Sequence, residues 1–176
     1  MQALVGFILR HWLALALVAS AAMLGTAHAF ETFGHLPPCT LCLYQRDVYW
    51  TALPIAAAGL VVQRTPLARL APLAGWLLAA TFLVGMGIAV WHAGAEWKFW
   101  PGPKACSSAG GGATAAGLAA LMHGAKVNAP HCDEAAWRFL GLSMAGWNAL
   151  ISLKLAGWSA IWSVWSNRNG RSAPHG

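Results

Sequence analysis

The sequence predicts an all-α integral membrane protein, a four-helix bundle with two extracytoplasmic loops that contain cysteine. Of its 176 residues, 58% are hydrophobic and only 9% are charged, whereas a soluble domain carries about a quarter charged residues. Trp is abundant, with 11 residues against two Tyr, and indole rings favour the membrane interface. Long segments of the chain also contain no charged residue.

Four apolar runs predict the four helices. A membrane span needs about 20 mainly apolar residues. The first and third runs meet this length, the fourth does so with Lys154 inside it, and the second borrows its first turn from the residues before it. The chain is expected to form one domain, 1–166, followed by a polar, disordered cytoplasmic tail, 167–176. The predicted spans cover about residues 11–30, 45–63, 71–92 and 143–164.

The charged residues predict the orientation of these spans. One side of the membrane would hold five Arg and no acid, and the other side would hold all five acids among basic residues. An excess of Arg marks the cytoplasmic face, so both termini are expected there and both cysteine loops outside. This topology accounts for the net charge of +6, and we expect no nucleic-acid partner. The Arg on the first side are Arg10, Arg64, Arg69, Arg168 and Arg171.

The N-terminal run has a second interpretation. It ends in an Ala-x-Ala pattern at Ala27 to Ala29, as a cleavable signal peptide does. The run is long enough to span, however, and the early basic region of a signal peptide is missing before Arg10. We therefore expect it to be retained as the first span.

Four cysteines, all on the predicted outer side, carry the chemistry. Cys39 and Cys42 form a Cys-x-x-Cys pair, a spacing that recurs in redox-active dithiols. Cys106 and Cys132 lie far apart in the long second loop. An even number of cysteines on an oxidising side implies disulfides. Redox-active thiols, purely structural disulfides and a zinc site of four cysteines remain open from spacing alone. Haem attachment is excluded because Leu43 follows Cys42.

The position of Cys42 favours the redox interpretation. It is expected at the N-terminus of the second helix, where free N–H groups and the helix dipole favour a thiolate. Arg46 follows four residues later on the same face and would stabilise that thiolate or bind a carbonyl oxygen. The alternative for Arg46 is an interfacial side chain that pairs with Asp47.

Two segments resemble the DsbB family of membrane quinone-dependent thiol oxidases. The first, Cys39-Thr-Leu-Cys42-Leu-Tyr44-Gln-Arg46, is similar to the family signature. The second runs from Trp137 to Asn148 and has Trp, Gly, Met and Trp where the family has them. With the four spans and two cysteine pairs, the resemblance covers nearly the whole chain. Gln45 stands where an acidic residue is common, and we expect this departure to matter little.

The resemblance implies the activity of a protein-dithiol:quinone oxidoreductase in the bacterial inner membrane. A DsbA-like periplasmic thioredoxin-fold partner would reduce the Cys106–Cys132 disulfide, most readily at Cys106. Cys132 would then open the Cys39–Cys42 bond. All four cysteines would thus be catalytic. The alternative is a non-catalytic membrane module with structural disulfides or a metal site made of the four cysteines.

The resemblance also implies a cofactor and its site. Cys42 would be released as a thiolate against a membrane quinone, either ubiquinone or menaquinone. Arg46, His92 and Met144 would bind this quinone, and no metal ion is expected. Without the resemblance, the simpler interpretation of His92 is an interfacial histidine with no ligand.

Overall fold

The computed structural model describes residues 2–102, 132–133 and 135–171, and it is helical over most of this length. The described ranges contain four long helices, with a single-turn 3-10 helix at Ala68–Leu70 before the third. The all-helical prediction is therefore confirmed. The helices are α1 (Gln2–Thr32), α2 (Thr40–Val62), α3 (Ala71–Glu96) and α4 (Met144–Arg171).

The helices are long enough for a membrane. They contain 31, 23, 26 and 28 residues, which at about 1.5 Å per residue exceeds the roughly 30 Å of a hydrocarbon core. Within the described ranges, two helical segments are also apolar enough to count as candidate spans by length and composition, Gln2–Thr32 and Ala68–Glu96.

Each helix packs against two others, so that the bundle is a ring in chain order. α3 packs extensively on α4 and α2, α2 packs on α1, and α1 closes the ring against α4 through a smaller contact. Leu13, Leu78 and Phe82 are fully buried at the centre. Gly85 of α3 allows α2 to approach closely, because a Cβ at this position would lie 2.8 Å from Val48 Cγ1.

The bundle has polar groups inside and apolar groups outside. Its buried positions include four Ser on α1 and α4, and Trp12 Nε1 donates to one of them, Ser159 Oγ, at 3.1 Å. Small and hydroxylated residues at helix contacts are typical of helices that pack in lipid. Lys154 is exposed on α4. Large exposed apolar side chains include Val18, Trp50, Val61, Leu73, Leu83, Val84 and Leu153.

Two helix boundaries differ from the predictions. α1 begins at Gln2 and bends at His11, whose φ of −112° and ψ of 15° are not helical, so the predicted start of the first span coincides with a kink. α4 continues to Arg171, so the prediction of a disordered tail from residue 167 is wrong for its first five residues. Polar composition alone did not reveal that α4 continues regularly beyond its apolar part.

A small β-hairpin precedes α4 and was not predicted. β1 (Arg138–Phe139) pairs with antiparallel β2 (Leu142–Ser143). The two turn residues, Leu140 and Gly141, have φ values of 50° and 80°, as a two-residue hairpin turn requires. Strands of two residues are too short to produce a recognisable alternation.

Candidate redox site

The N-terminus of α2 holds the Cys-x-x-Cys pair. Cys39 is the N-cap of the helix, and its Sγ accepts the backbone N–H of Cys42 at 3.4 Å. The two sulfurs lie 3.1 Å apart and are not joined in a disulfide. Cys39 is buried, and Cys42 is half-buried. The predicted position of the pair at the helix start is therefore confirmed.

The third described cysteine lies beside this pair. Cys132 is disulfide-bonded and 1% exposed, and it packs with Cys39 and Leu41. The sulfurs of Cys39 and Cys132 and a ring nitrogen of His92 all lie within 4.8 Å of one another. The folded chain therefore brings a cysteine of the second loop to the Cys-x-x-Cys pair. Cys106 lies outside the described residues.

The thiols of Cys39 and Cys42 differ in acidity. Both lie at the start of α2, before the predicted span. The pKa of Cys39 falls to about 4, first through the hydrogen bond with Cys42 and, against the opposing effect of burial, through His92. The hydrogen bond with Cys39 and burial raise the pKa of Cys42, although Arg46 acts to lower it. In the reduced pair the thiolate is therefore Cys39, whereas the sequence argument placed it on Cys42. Proximity makes the pair share one proton, and the N-cap position and His92 favour the charge on Cys39.

Arg46 joins α2 to α1. Its guanidinium donates from Nη1 to Glu31 Oε2 at 2.5 Å and from Nη2 to the Ala27 carbonyl at 3.1 Å. Its side chain is only 14% exposed. Arg46 therefore pairs with Glu31. The interfacial interpretation of the sequence had paired it with Asp47. Because planar guanidinium groups bind with fixed geometry, these bonds hold Arg46 at one edge of the site.

A cavity of about 840 Å³ opens beside the cysteines. Arg46, His92 and Met144 all line it together with Cys39 and Cys42. The three residues predicted to bind one cofactor therefore share one cavity with the Cys-x-x-Cys pair. Most of the remaining wall is apolar and comes from α1, the hairpin segment and α4: Met23, Leu24, Phe30, Leu36, Trp137, Phe139, Trp147 and Ile151.

The hairpin shapes the mouth of this cavity. Trp137 and Phe139 stack with ring centroids 5.7 Å apart, and Trp137 also packs against Phe30 of α1 at 5.5 Å. Trp147 Nε1 donates to the Phe139 carbonyl at 3.0 Å. The aromatic residues of the Trp137–Asn148 segment, which resembles the family, therefore form one wall of the cavity. Met144, at the start of α4, also lines it.

His92 is not an interfacial histidine without a partner. It is 4% exposed, and its Nε2 lies 3.6 Å from Cys39 Sγ. The same nitrogen lies 3.6 Å from Glu96 Oε1, while Nδ1 lies 2.9 Å from Gln45 Nε2. His92 therefore contacts the cysteine pair directly as well as lining the cavity.

Sequence reasoning missed several polar residues of the site. Gln45 is buried and makes two side-chain hydrogen bonds, to His92 and to Asn148, whereas in the sequence it stood out only as a departure from the family signature. Glu96 is also buried and lines the cavity, and its Oε2 has no hydrogen-bond partner among the described residues. The i, i+4 spacing of His92 and Glu96 was the available signal.

A metal site made of all four cysteines does not fit the described residues. Such a site needs four thiolates around one ion, whereas Cys132 is disulfide-bonded. The short Cys39–Cys42 contact instead has the spacing of a dithiol that can close into a disulfide.

Known proteins resemble this chain over most of its length. The family model described as "Disulfide bond formation protein DsbB" matches residues 9–162. A disulfide bond formation protein B of Escherichia coli strain K12 is 31% identical over 137 residues, which cover 77% of this chain and 74% of the relative. One of Idiomarina loihiensis is 33% identical over 144 residues, covering 80% and 76%. The chain therefore belongs to the DsbB family, membrane proteins with an oxidoreductase role in disulfide bond formation.

Proposed function

We propose that the protein is a protein-dithiol:quinone oxidoreductase that reoxidises a DsbA-like periplasmic thiol protein. One observation carries the proposal: a largely apolar cavity of about 840 Å³ is lined by Cys39, Cys42, Arg46 and His92. The sulfur of Cys132 lies within 4.8 Å of the Cys39 sulfur. The site is thus arranged between a loop disulfide and a space for an apolar oxidant.

The first half of the reaction transfers the electron pair between disulfides. A partner thiolate attacks Cys106 of the Cys106–Cys132 disulfide, and Cys132 leaves as a thiolate. Cys132 then attacks Cys39 of the Cys39–Cys42 disulfide, and Cys42 leaves as a thiolate. The separation of at most 4.8 Å between the sulfurs of Cys132 and Cys39 supports this exchange, since thiol–disulfide exchange requires direct attack of sulfur on sulfur.

The second half restores the loop disulfide. The partner's second thiolate attacks the mixed disulfide and leaves with its own disulfide formed, which releases Cys106. Cys106 then attacks Cys132, and Cys39 is released. The electron pair now lies on Cys39 and Cys42, which are free in the structure beside a disulfide-bonded Cys132.

A quinone fits the remaining requirements of the cavity. Arg46, His92 and Met144 would hold the ring, with apolar side chains of α1 and α4 along its isoprenoid chain. A bound quinone, ubiquinone or menaquinone, supplies an acceptor for two electrons and two protons. Arg46 would donate hydrogen bonds to a ring oxygen, and the cavity walls would exclude water from the reduced sulfurs.

We further propose an inner-membrane location with four spans, at about residues 11–30, 45–63, 71–92 and 143–164, and both termini cytoplasmic. The fold supports this arrangement because Cys39, Cys132 and His92 meet at one end of the bundle. The connection at 63–70, which contains Arg64 and Arg69, joins α2 to α3 at their other ends. The tail at 167–176 would share that cytoplasmic side.

Two serine variants test the relay. With purified protein, reduced DsbA-like partner and quinone, we expect Cys42→Ser to abolish quinone reduction, measured by absorbance. Cys106→Ser should also stop turnover with the partner but should retain quinone binding, because the proposed relay uses Cys106 only in the exchange with the partner. Unchanged turnover in either variant would contradict the relay. Bound zinc, or a Cys39–Cys42 pair that does not alternate between dithiol and disulfide during turnover, would instead support a non-catalytic membrane module with structural disulfides or a metal site.

A further inference from the structure

A series of buried hydrogen bonds links α2 and α4 to His92 on α3. The Tyr49 hydroxyl donates to Asn148 Oδ1. Asn148 Nδ2 donates to Gln45 Oε1 at 2.5 Å, and Gln45 Nε2 lies 2.9 Å from His92 Nδ1. All four side chains are buried, and the disulfide relay described above uses none of these contacts.

The direction of this series determines the tautomer of His92. An amide side chain has one donor end and one acceptor end, so each bond fixes the direction of the next. Gln45 uses its oxygen to accept from Asn148 and therefore presents its NH₂ group to His92. His92 Nδ1 is then an acceptor, and the neutral ring carries its proton on Nε2.

The groups around His92 Nε2 require that proton. Cys39 Sγ and Glu96 Oε1 both lie 3.6 Å from it, and a thiolate sulfur can accept a hydrogen bond but cannot donate one. If the hydrogen bonds ran in the reverse direction, His92 would carry its proton on Nδ1. The lone pair of Nε2 would then face both Cys39 Sγ and Glu96 Oε1. The two acceptors therefore favour the direction that the structure has. Among the described residues, Cys42 and Arg46 of α2 line the same cavity as His92. The sulfur of the disulfide-bonded Cys132, which does not titrate, lies within 4.8 Å of a ring nitrogen of His92.

We propose that Gln45 is a positioning residue that holds His92 in its Nε2–H tautomer, and that this N–H stabilises the Cys39 thiolate. The contribution to turnover rests on the proposed function, whereas the effect on the Cys39 thiol does not. Gln45 would act on the Cys39 thiol through His92, since its amide nitrogen contacts the His92 ring.

The test measures the pH dependence of Cys39 alkylation in the full chain, in detergent and with the Cys132 disulfide intact. A Cys42→Ala background removes the largest cause of the low pKa of Cys39 and leaves His92 as the main remaining one. In this background we expect Gln45→Leu to move the iodoacetamide profile upward by about one pH unit. An unmoved profile would overturn the proposal.

Three further variants separate positioning from a general structural effect. In Gln45→Glu, the carboxylate accepts from Asn148 and from a protonated Nδ1, so Nε2–H is retained and the profile should not move upward. Thr51→Val is the matched control on α2, because that exposed hydroxyl bonds only to the backbone of its own helix, and it should change nothing. Gln45→Leu should have no further effect in a His92→Phe chain. An upward shift in Gln45→Glu, or additive effects in the double variant, would refute the assignment.

The readout also keeps the two proposals distinguishable. Alkylation of Cys39 requires neither quinone nor partner. A chain that fails to reduce quinone but retains the Gln45 effect would refute the proposed function alone, and the opposite result would refute the positioning role alone.

Discussion

One proton shared between two sulfurs decides the reactivity of the Cys-x-x-Cys pair. Cys39 accepts the Cys42 backbone N–H and lies 3.6 Å from His92 Nε2, so the negative charge falls on Cys39. Cys42 keeps the proton although Arg46 lies near it. A helix N-terminus therefore activates its N-cap sulfur here, and not the sulfur one turn later.

The low pKa of Cys39 predicts how its reactivity depends on pH. Because the folded pKa is depressed to about 4, the thiolate persists above that value and is lost as the pH falls through it. In the reduced wild-type chain, alkylation of Cys39 should be nearly constant from about pH 6 to pH 8 and should fall below about pH 4. Mass spectrometry of the alkylated peptide measures this. Faster labelling of Cys42 at neutral pH would contradict the assignment.

At the scale of elements, close contacts between helices hold the bundle together. Gly75 of α3 faces α4, where a Cβ would lie 2.6 Å from Trp162 Cε3 and would also clash with Ser163. Gly87 of the same helix has nothing within 4 Å of a Cβ. The two glycines therefore offer a matched pair of substitutions.

We expect opposite effects of alanine at these two glycines. Gly75→Ala should reduce stability by about 1–3 kcal/mol, because a packed contact must open. Gly87→Ala should be neutral or stabilising by up to about 1 kcal/mol, because alanine favours the helix. Thermal unfolding in detergent compares the two. Equal stability of both variants would argue against the close α3–α4 contact.

At the scale of the whole molecule, the distribution of polarity matches a bilayer. Buried hydroxyls and amides lie between the helices, while large apolar side chains are exposed around the bundle. The three cysteines that the structure describes lie at one end of the bundle. This arrangement suits a reaction between a protein thiol in water and an oxidant dissolved in lipid.

The proposed topology predicts which surface positions react from outside. Single cysteines at exposed Phe33 and Gln63, at opposite ends of the bundle, are introduced into a chain with Ser at all native cysteines. A membrane-impermeant maleimide should label Phe33→Cys in intact spheroplasts, and Gln63→Cys only after permeabilisation. The opposite pattern would invert the proposed orientation.

Much of this protein follows from local sequence patterns. Composition and apolar runs predicted the helical bundle, and the Cys-x-x-Cys spacing predicted a cysteine pair at the start of a helix. These features depend on neighbouring residues in the chain, whose geometry a helix fixes in advance. The family resemblance added Arg46, His92 and Met144, which do share one cavity.

What the sequence could not provide were contacts between residues far apart in the chain. The pairing of Arg46 with Glu31 and the bonds of Gln45 to His92 and Asn148 each join different segments. Local sequence patterns determined which helices form and placed the Cys39–Cys42 pair at the start of a helix. Only tertiary packing brought His92 of α3 to the Cys39 sulfur. There it adds to the effect of the local Cys42 hydrogen bond, which lowers the pKa of Cys39 most, and acts against the opposing effect of burial; a contact between residues so far apart in the chain leaves no local pattern.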